Sequence, residues 1–92
     1  MLELITTFTP ADGSAPRTIT LRIKDVRLEP DGETWSVGVD VLGFKSENSQ
    51  RLYQVDWTYA IRDAAVWINK MVAGKVENAG GGTLDPPLEL SV

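Results

Sequence analysis

The chain has 92 residues, a formal charge of −4, and neither histidine nor cysteine. These two side chains supply most general bases near neutral pH, most activated nucleophiles and most ligands for zinc, copper and haem, so much of enzyme chemistry is removed. Hydrophobic residues make up 42% of the chain, and no apolar run reaches the roughly 20 residues of a membrane span. We expect a non-catalytic, cytoplasmic globular protein without disulfides or cofactors.

Two extended segments open the chain. Residues 2–9 have one apolar side that predicts a first β-strand, which ends at the loop-forming prolines and glycine of residues 10–16. Residues 18–28 alternate apolar and polar side chains, as a half-buried antiparallel strand does. The apolar positions change parity after Lys24, and we interpret this change as a β-bulge near Lys24 and Asp25.

The middle of the chain predicts a hairpin and a fourth strand. Pro30, Asp31 and Gly32 form a turn sequence, which pairs the second strand with a third. The third strand has a strict apolar face made of Trp35, Val37, Val39 and Val41. After a polar turn, residues 50–55 predict strand four, with Leu52 on one side and Tyr53 and Val55 on the other.

An amphipathic helix follows, with Asp56 as its N-cap and Gly74 as its predicted end. Its apolar face should pack on the sheet and contains Trp57, Ala60, Ile61, Ala64, Trp67, Ile68, Met71 and Val72. We predict an α+β domain over residues 1–76, with an antiparallel sheet of about four strands, one helix on one face, and two layers. Residues 77–92 are predicted to be a glycine-containing linker and an extended segment.

The main candidate for a partner-binding surface lies on the outer side of this helix. That side carries Tyr59, Arg62, Val66, Asn69 and Lys70, and we predict that all of these except Asn69 contact a partner. Protein interfaces favour tyrosine and arginine around a small apolar centre, although scattered apolar residues are also normal on a surface. A protein-binding surface and an ordinary solvated helix face therefore both remain open.

Other candidates lie on the strands and at the C-terminus. Arg22 and Lys24 share one face of strand two, where they could contact an acidic partner or pair with Asp40 on strand three. Asp40 is also the carboxylate with the least evident structural role, because aspartate is disfavoured in strands. Leu88 and Leu90 could add a strand to a partner's sheet or pair with this domain's own edge. The spacing of acidic residues predicts no metal site.

The order of four strands followed by Val55, Asp56 and an amphipathic helix resembles small uncharacterised bacterial β-meander-plus-helix proteins. The resemblance covers residues 5–72 and implies a fold but no active-site residue. We predict a protein-protein interaction module, such as an inhibitor, an immunity-type factor or a phage or bacterial accessory protein. A small-ligand-binding protein or a carboxylate-based hydrolase using Asp40 is one alternative. Nucleic-acid binding through strand two is another, although the net negative charge of the chain disfavours non-specific binding to phosphate backbones.

Self-association is a further expectation. A four-stranded sheet with one helix leaves its second face open, and Ile5, Val26 and Leu42 would make that face partly apolar. Such a face favours a homodimer or a partner protein.

Overall fold

The protein is an open antiparallel sheet with one helix packed against it, in a computed structural model that describes residues 1–87. The elements are β1 (Leu2–Pro10), β2 (Arg17–Leu28), β3 (Trp35–Leu42), β4 (Asn48–Gln54), α1 (Trp57–Asn78) and β5 (Gly82–Asp85). The strands lie side by side in the order β4, β3, β2, β1, β5, so the first four form a meander. The predicted α+β class with one packed helix is confirmed.

The register of the sheet separates a helix-covered face from a second, polar face. Leu21 lies opposite Val41, and Ile23 lies opposite Val39, so the apolar positions of β2 and β3 share the covered face. The predicted bulge is confirmed, because the β2–β3 register shifts between Lys24 and Arg27. Asp25, inside the bulge, has a left-handed backbone conformation with φ of 53°.

Helix α1 begins after Asp56, whose carboxylate accepts a hydrogen bond from the Thr58 backbone N–H at 2.7 Å. This confirms the predicted N-cap. The predicted end at Gly74 is wrong, because the helix continues to Asn78. A glycine lowers helix propensity but does not terminate a helix whose apolar face stays packed, and the half-buried Val76 packs against the core beyond it.

The core lies between α1 and the covered face of the sheet. Alanines at positions 60 and 64 are fully buried and let the helix approach β3 closely. Larger side chains fill the remaining space; on the strands these are Phe8, Ile19, Leu21, Ile23, Val37, Val39 and Val41, and on the helix Ile68 and Val72. Leu52 on β4 packs against this core and Tyr53 points away from it, as their alternation predicted.

The sheet has five strands rather than about four, because residues 82–85 pair with β1. The predicted division after residue 76 falls inside α1, and part of the segment expected as a linker joins the sheet. Gly82 makes this pairing possible, since an added Cβ there would lie 2.5 Å from the Phe8 ring. The buried Thr6 hydroxyl also donates to the Pro86 carbonyl at 2.7 Å, which fastens the segment beside β1.

Candidate functional site

Asp40 lies at the centre of a polar network on the sheet face opposite the helix. Its carboxylate is almost fully buried, and it accepts a hydrogen bond from the Ser49 hydroxyl at 2.6 Å. Lys24 Nζ lies 2.9 Å from the same carboxylate, and Arg22 Nη1 lies 4.0 Å from it. Burial raises the pKa of Asp40, but the hydrogen bonds from Ser49 and Lys24 and the charge of Arg22 outweigh burial and lower it. Asp40 is therefore a paired carboxylate ion.

A second group of paired charges covers the same face towards the bulge. Arg51 Nη1 donates to the Ser36 hydroxyl oxygen at 2.6 Å and to the Asp25 carbonyl at 3.1 Å. The Ser36 hydroxyl in turn donates to Glu29, which also pairs with Arg27 at 3.3 Å. The hydrogen bond from Ser36 is the main reason that the pKa of Glu29 is lowered. This region of the open face is thus filled by satisfied polar groups.

These contacts bear on the predictions made for Arg22 and Lys24 on strand two and for Asp40 on strand three. The predicted pairing of Arg22 and Lys24 with Asp40 is confirmed, and Arg22 also pairs with Glu3 at 2.8 Å. A nucleic-acid site would need these cations free for phosphates. A hydrolase using Asp40 would need a carboxylate open to substrate, whereas this one is covered by its partners. The geometry favours a structural role for all three residues.

The lowered carboxyl pKa values predict how stability depends on pH. Hydrogen bonds from Thr34 lower the pKa of Asp31, and hydrogen bonds from Thr58 lower the pKa of Asp56, as partners do for Asp40. A carboxyl with a lower pKa when folded stabilises the protein above its unfolded pKa of about 4, and the gain is lost as pH falls further. Chemical denaturation should show little change in the free energy of unfolding from pH 6 to 8, where no histidine titrates, and a decline below about pH 4. A decline in the free energy of unfolding between pH 8 and pH 6 would contradict the conclusion that these carboxyl groups set the pH dependence.

A cleft of about 600 Å³ opens at the other side of the molecule, between the C-terminal half of α1 and the ends of β1 and β3. We call it the basic cleft. Phe8, Phe44 and Met71 form its apolar lining, and the Phe8 and Phe44 ring centroids lie 5.3 Å apart. Gly43 positions Phe44 here, because its φ of 105° turns the chain sharply after β3. Both rings are almost fully buried and form the floor of the cleft, and the half-buried Met71 adds thioether surface beside them.

The wall of the basic cleft carries four of the nine cationic side chains of the protein, namely Arg17, Lys45, Lys70 and Lys75. Lys75 Nζ donates to the Ser46 carbonyl at 2.6 Å and lies 5.9 Å from the Phe44 ring centroid. The single lining carboxylate is Asp12, so the cleft has a formal charge of +3 in a protein of −4. This end of the molecule therefore has a charge opposite to that of the whole chain.

The cleft cations differ from those of the open sheet face in their pairing. Within residues 1–87, none of the four forms an ion pair, whereas the other four basic residues of β2 and β4, Arg22, Lys24, Arg27 and Arg51, all do. Lys45 and Lys70 make no hydrogen bond to another described residue either. Two ammonium groups thus have their donors available to a bound anion.

The opposite end of the sheet carries most of the exposed apolar side chains. Every large apolar side chain that is exposed among the described residues comes from residues 1–5, 26–28 or 53–59. Residues 26–28 and 53–59 meet at one end, because the terminal residues of β2, β3 and β4 lie side by side there and α1 begins just beyond β4. Residues 1–5 lie farther along the sheet, since Leu2 is in register with Ile23 and Val39, and Ile5 is in register with Thr20 and Leu42 at the other end of β3. We call the surface formed by the first two segments the apolar end; its members are Val26, Leu28, Tyr53, Val55, Trp57 and Tyr59.

The residues predicted as one partner-binding stripe on α1 are spread between these two surfaces. Tyr59 belongs to the apolar end and Lys70 to the basic cleft, about 16 Å apart along a helix that rises 1.5 Å per residue. Arg62 is exposed between them, and Val66 is half-buried. Leu88 and Leu90, predicted to pair with a sheet edge, lie outside the described residues.

Sequence reasoning missed both surfaces as units. The cleft combines residues from β1, β2, β4, α1 and the turns that follow β1 and β3, and their proximity depends on the tertiary fold. A usable signal was the spacing of four between Lys70 and Gly74, which puts a cation beside a gap on one side of the helix. For the apolar end, the alternation of Tyr53, Val55, Trp57 and Tyr59 was visible. Trp57 was instead expected on the packed face, but half of its surface is exposed.

Comparisons with protein-family models, with curated proteins and with solved structures give no match to this chain. No helix among the described residues is both long and apolar enough to cross a membrane. Residues 1–87 also contain no cluster of three acidic side chains placed to hold a metal ion.

Proposed function

We propose that this chain is a non-catalytic protein-interaction module whose contact surface is the apolar end, and that the partner is a second copy of the chain. The observation that supports the proposal is a cluster of six exposed large apolar side chains, three of them aromatic, at one end of the sheet. Monomeric proteins scatter such residues, whereas interfaces concentrate them and favour tyrosine and tryptophan.

The size of the apolar end is suited to a specific interface. Tyr53, Trp57 and Tyr59 are each about half exposed. Since an aromatic side chain offers roughly 150–250 Å², these three leave roughly 300 Å² in water. Three exposed aliphatic side chains, Val26, Leu28 and Val55, add to that area. The total lies in the upper part of the roughly 300–600 Å² found for the largest patch on most monomers, which is often functional, and below the roughly 800 Å² that each partner contributes to a standard interface.

The charges at this end support a contact between identical surfaces. Asp25 is paired with Arg51, and Arg27 is paired with Glu29. The Asp56 carboxylate is occupied by the helix N-cap. In a two-fold symmetric interface the same patch meets itself, so unpaired charges would repel their own copies. Here Arg27, Glu29 and Asp56 are already engaged within each chain, and the part of the open sheet face around Asp40 is occupied by paired charges.

Light scattering over a concentration series tests this proposal. The wild-type mass should rise from 10.1 kDa towards about twice that value as concentration increases. Tyr59→Glu and Val55→Glu should each weaken the dimer at least about 100-fold, because each charge enters the interface twice. Both side chains are more than half exposed, so the folded monomer should be retained.

Ala73→Glu is the matched control, because it adds the same charge at an exposed position of α1 away from the apolar end. It should leave the dimer unchanged. A wild-type protein that remains monomeric at about 1 mM, or a control that dissociates as readily as Tyr59→Glu, would overturn the proposal.

A further inference from the structure

We propose that the basic cleft is a binding site for a small organic anion, in which an aromatic or similarly flat apolar body carries a carboxylate or phosphate group. The cleft lies at the end of the sheet opposite the apolar end, so the inference does not depend on self-association. Its volume of about 600 Å³ falls in the range of small-molecule sites, roughly 300–1,000 Å³.

The lining determines the two parts of the ligand. The rings of Phe8 and Phe44, 5.3 Å apart between centroids, are only 2% and 7% exposed and form the floor of the cleft. A flat apolar body can lie on this floor and against the half-buried Met71. The ammonium group of Lys75 is held at the Phe44 ring by Ser46. A preformed cation above an aromatic surface suits a ligand whose anionic group is attached directly to an apolar body.

The supply of unpaired positive charge argues for an anion rather than a neutral ligand. Acidic residues outnumber basic ones by thirteen to nine, so the protein has enough carboxylates to pair every cation. Arg22, Lys24, Arg27 and Arg51 are paired with nearby carboxylates. The cleft cations nevertheless have no ion pair among the described residues. Lys45 and Lys70 are exposed at the rim, where they can close on an anion from two sides.

Gly74 provides a separate observation that points to an occupant. It lies in the interior of α1 and lines the cleft, yet an added Cβ would meet no atom within 4 Å. No packing in this chain therefore requires glycine, although glycine costs roughly 1 kcal/mol of helix stability relative to alanine. The missing side chain leaves space that is open to a ligand body.

Nuclear magnetic resonance titration of the full chain tests the site with 2-naphthoate and 1-naphthyl phosphate as probes. Both should shift the backbone amides of Phe44, Gly74 and Lys75, and the amides of residues 53–59 should not respond. 2-Naphthylmethanol, which lacks the charge, and inorganic phosphate, which lacks the ring, should each bind at least about tenfold more weakly. The tighter of the two naphthyl anions identifies which acidic group the site prefers.

Three variants locate the interaction. Lys70→Glu should weaken 2-naphthoate binding at least about fivefold, while Arg62→Glu, which makes the same charge change on the same helix outside the cleft, should change it less than about twofold. Gly74→Leu should fold, because leucine is a good helix former and meets open space, but it should block the naphthyl ring. Equal binding of the alcohol, shifts confined to residues 53–59, or equal effects of Lys70→Glu and Arg62→Glu would overturn the proposal.

Discussion

Replacing Gly43 with alanine is expected to lower the free energy of unfolding by about 3–5 kcal/mol, because it combines backbone strain with a steric clash. Gly43 has φ of 105°, in the region that favours glycine. An added Cβ would lie 2.1 Å from the Thr18 carbonyl oxygen, and backbone atoms cannot move aside as a flexible side chain can. The midpoint of thermal unfolding should fall by roughly 20 °C in a domain of this size.

Gly32→Ala is the control for the backbone strain alone. Gly32 also has a positive φ, of 73°, but an added Cβ there would meet nothing within 4 Å. Its substitution should cost only about 1 kcal/mol. If the two variants were equally stable, the close approach of Gly43 to β2 would be incorrect. Because Gly43 places Phe44 in the basic cleft, Gly43→Ala should also abolish ligand-induced shifts at Phe44.

The second large effect is expected at Asp40. Asp40→Ala should lower the free energy of unfolding by about 2–3 kcal/mol, because the buried Ser49 contact is lost and Lys24 loses its counter-charge. The cost is below that of a fully buried ion pair, since Lys24 is 37% exposed and can be hydrated. Urea denaturation at pH 7 measures this difference.

Two further variants separate charge from packing at this site. Asp40→Asn keeps the shape and an oxygen acceptor for Ser49, so about half of the loss should be recovered. Asp25→Asn removes a carboxylate that is 65% exposed and lies 3.8 Å from Arg51, so its effect should stay within about 0.5 kcal/mol. If Asp40→Ala proved as mild as Asp25→Asn, the network around Asp40 would contribute little to stability.

The two proposed surfaces lie at opposite ends of an elongated molecule with principal extents of 50, 23 and 20 Å. A dimer formed through the apolar ends would therefore present two basic clefts pointing away from the contact. Neither proposal requires the other, and their experiments report on different residues. Loss of dimerisation in Tyr59→Glu should leave 2-naphthoate binding intact, and Gly74→Leu should leave the dimer intact.

The sequence by itself determined the elements whose signals are local. The alternation of Trp35, Val37, Val39 and Val41 specified β3 and its buried face, because side chains on a strand alternate with a period of two. Asp56 specified the start of α1, since a cap is a contact between neighbouring residues. The change of parity after Lys24 located the bulge for the same reason.

Only the tertiary structure decided the features that join distant segments. Residues 82–85 form a fifth strand because β1 offers an unpaired edge, which no local pattern of glycines reveals. The helix passes Gly74 because packing on the sheet outweighs the low propensity of one residue. The stripe from Tyr59 to Lys70 belongs to two surfaces, because the loops of the sheet bring apolar residues to one end of α1 and cations to the other. Such surfaces depend on contacts between residues far apart in the chain, which composition and periodicity do not predict.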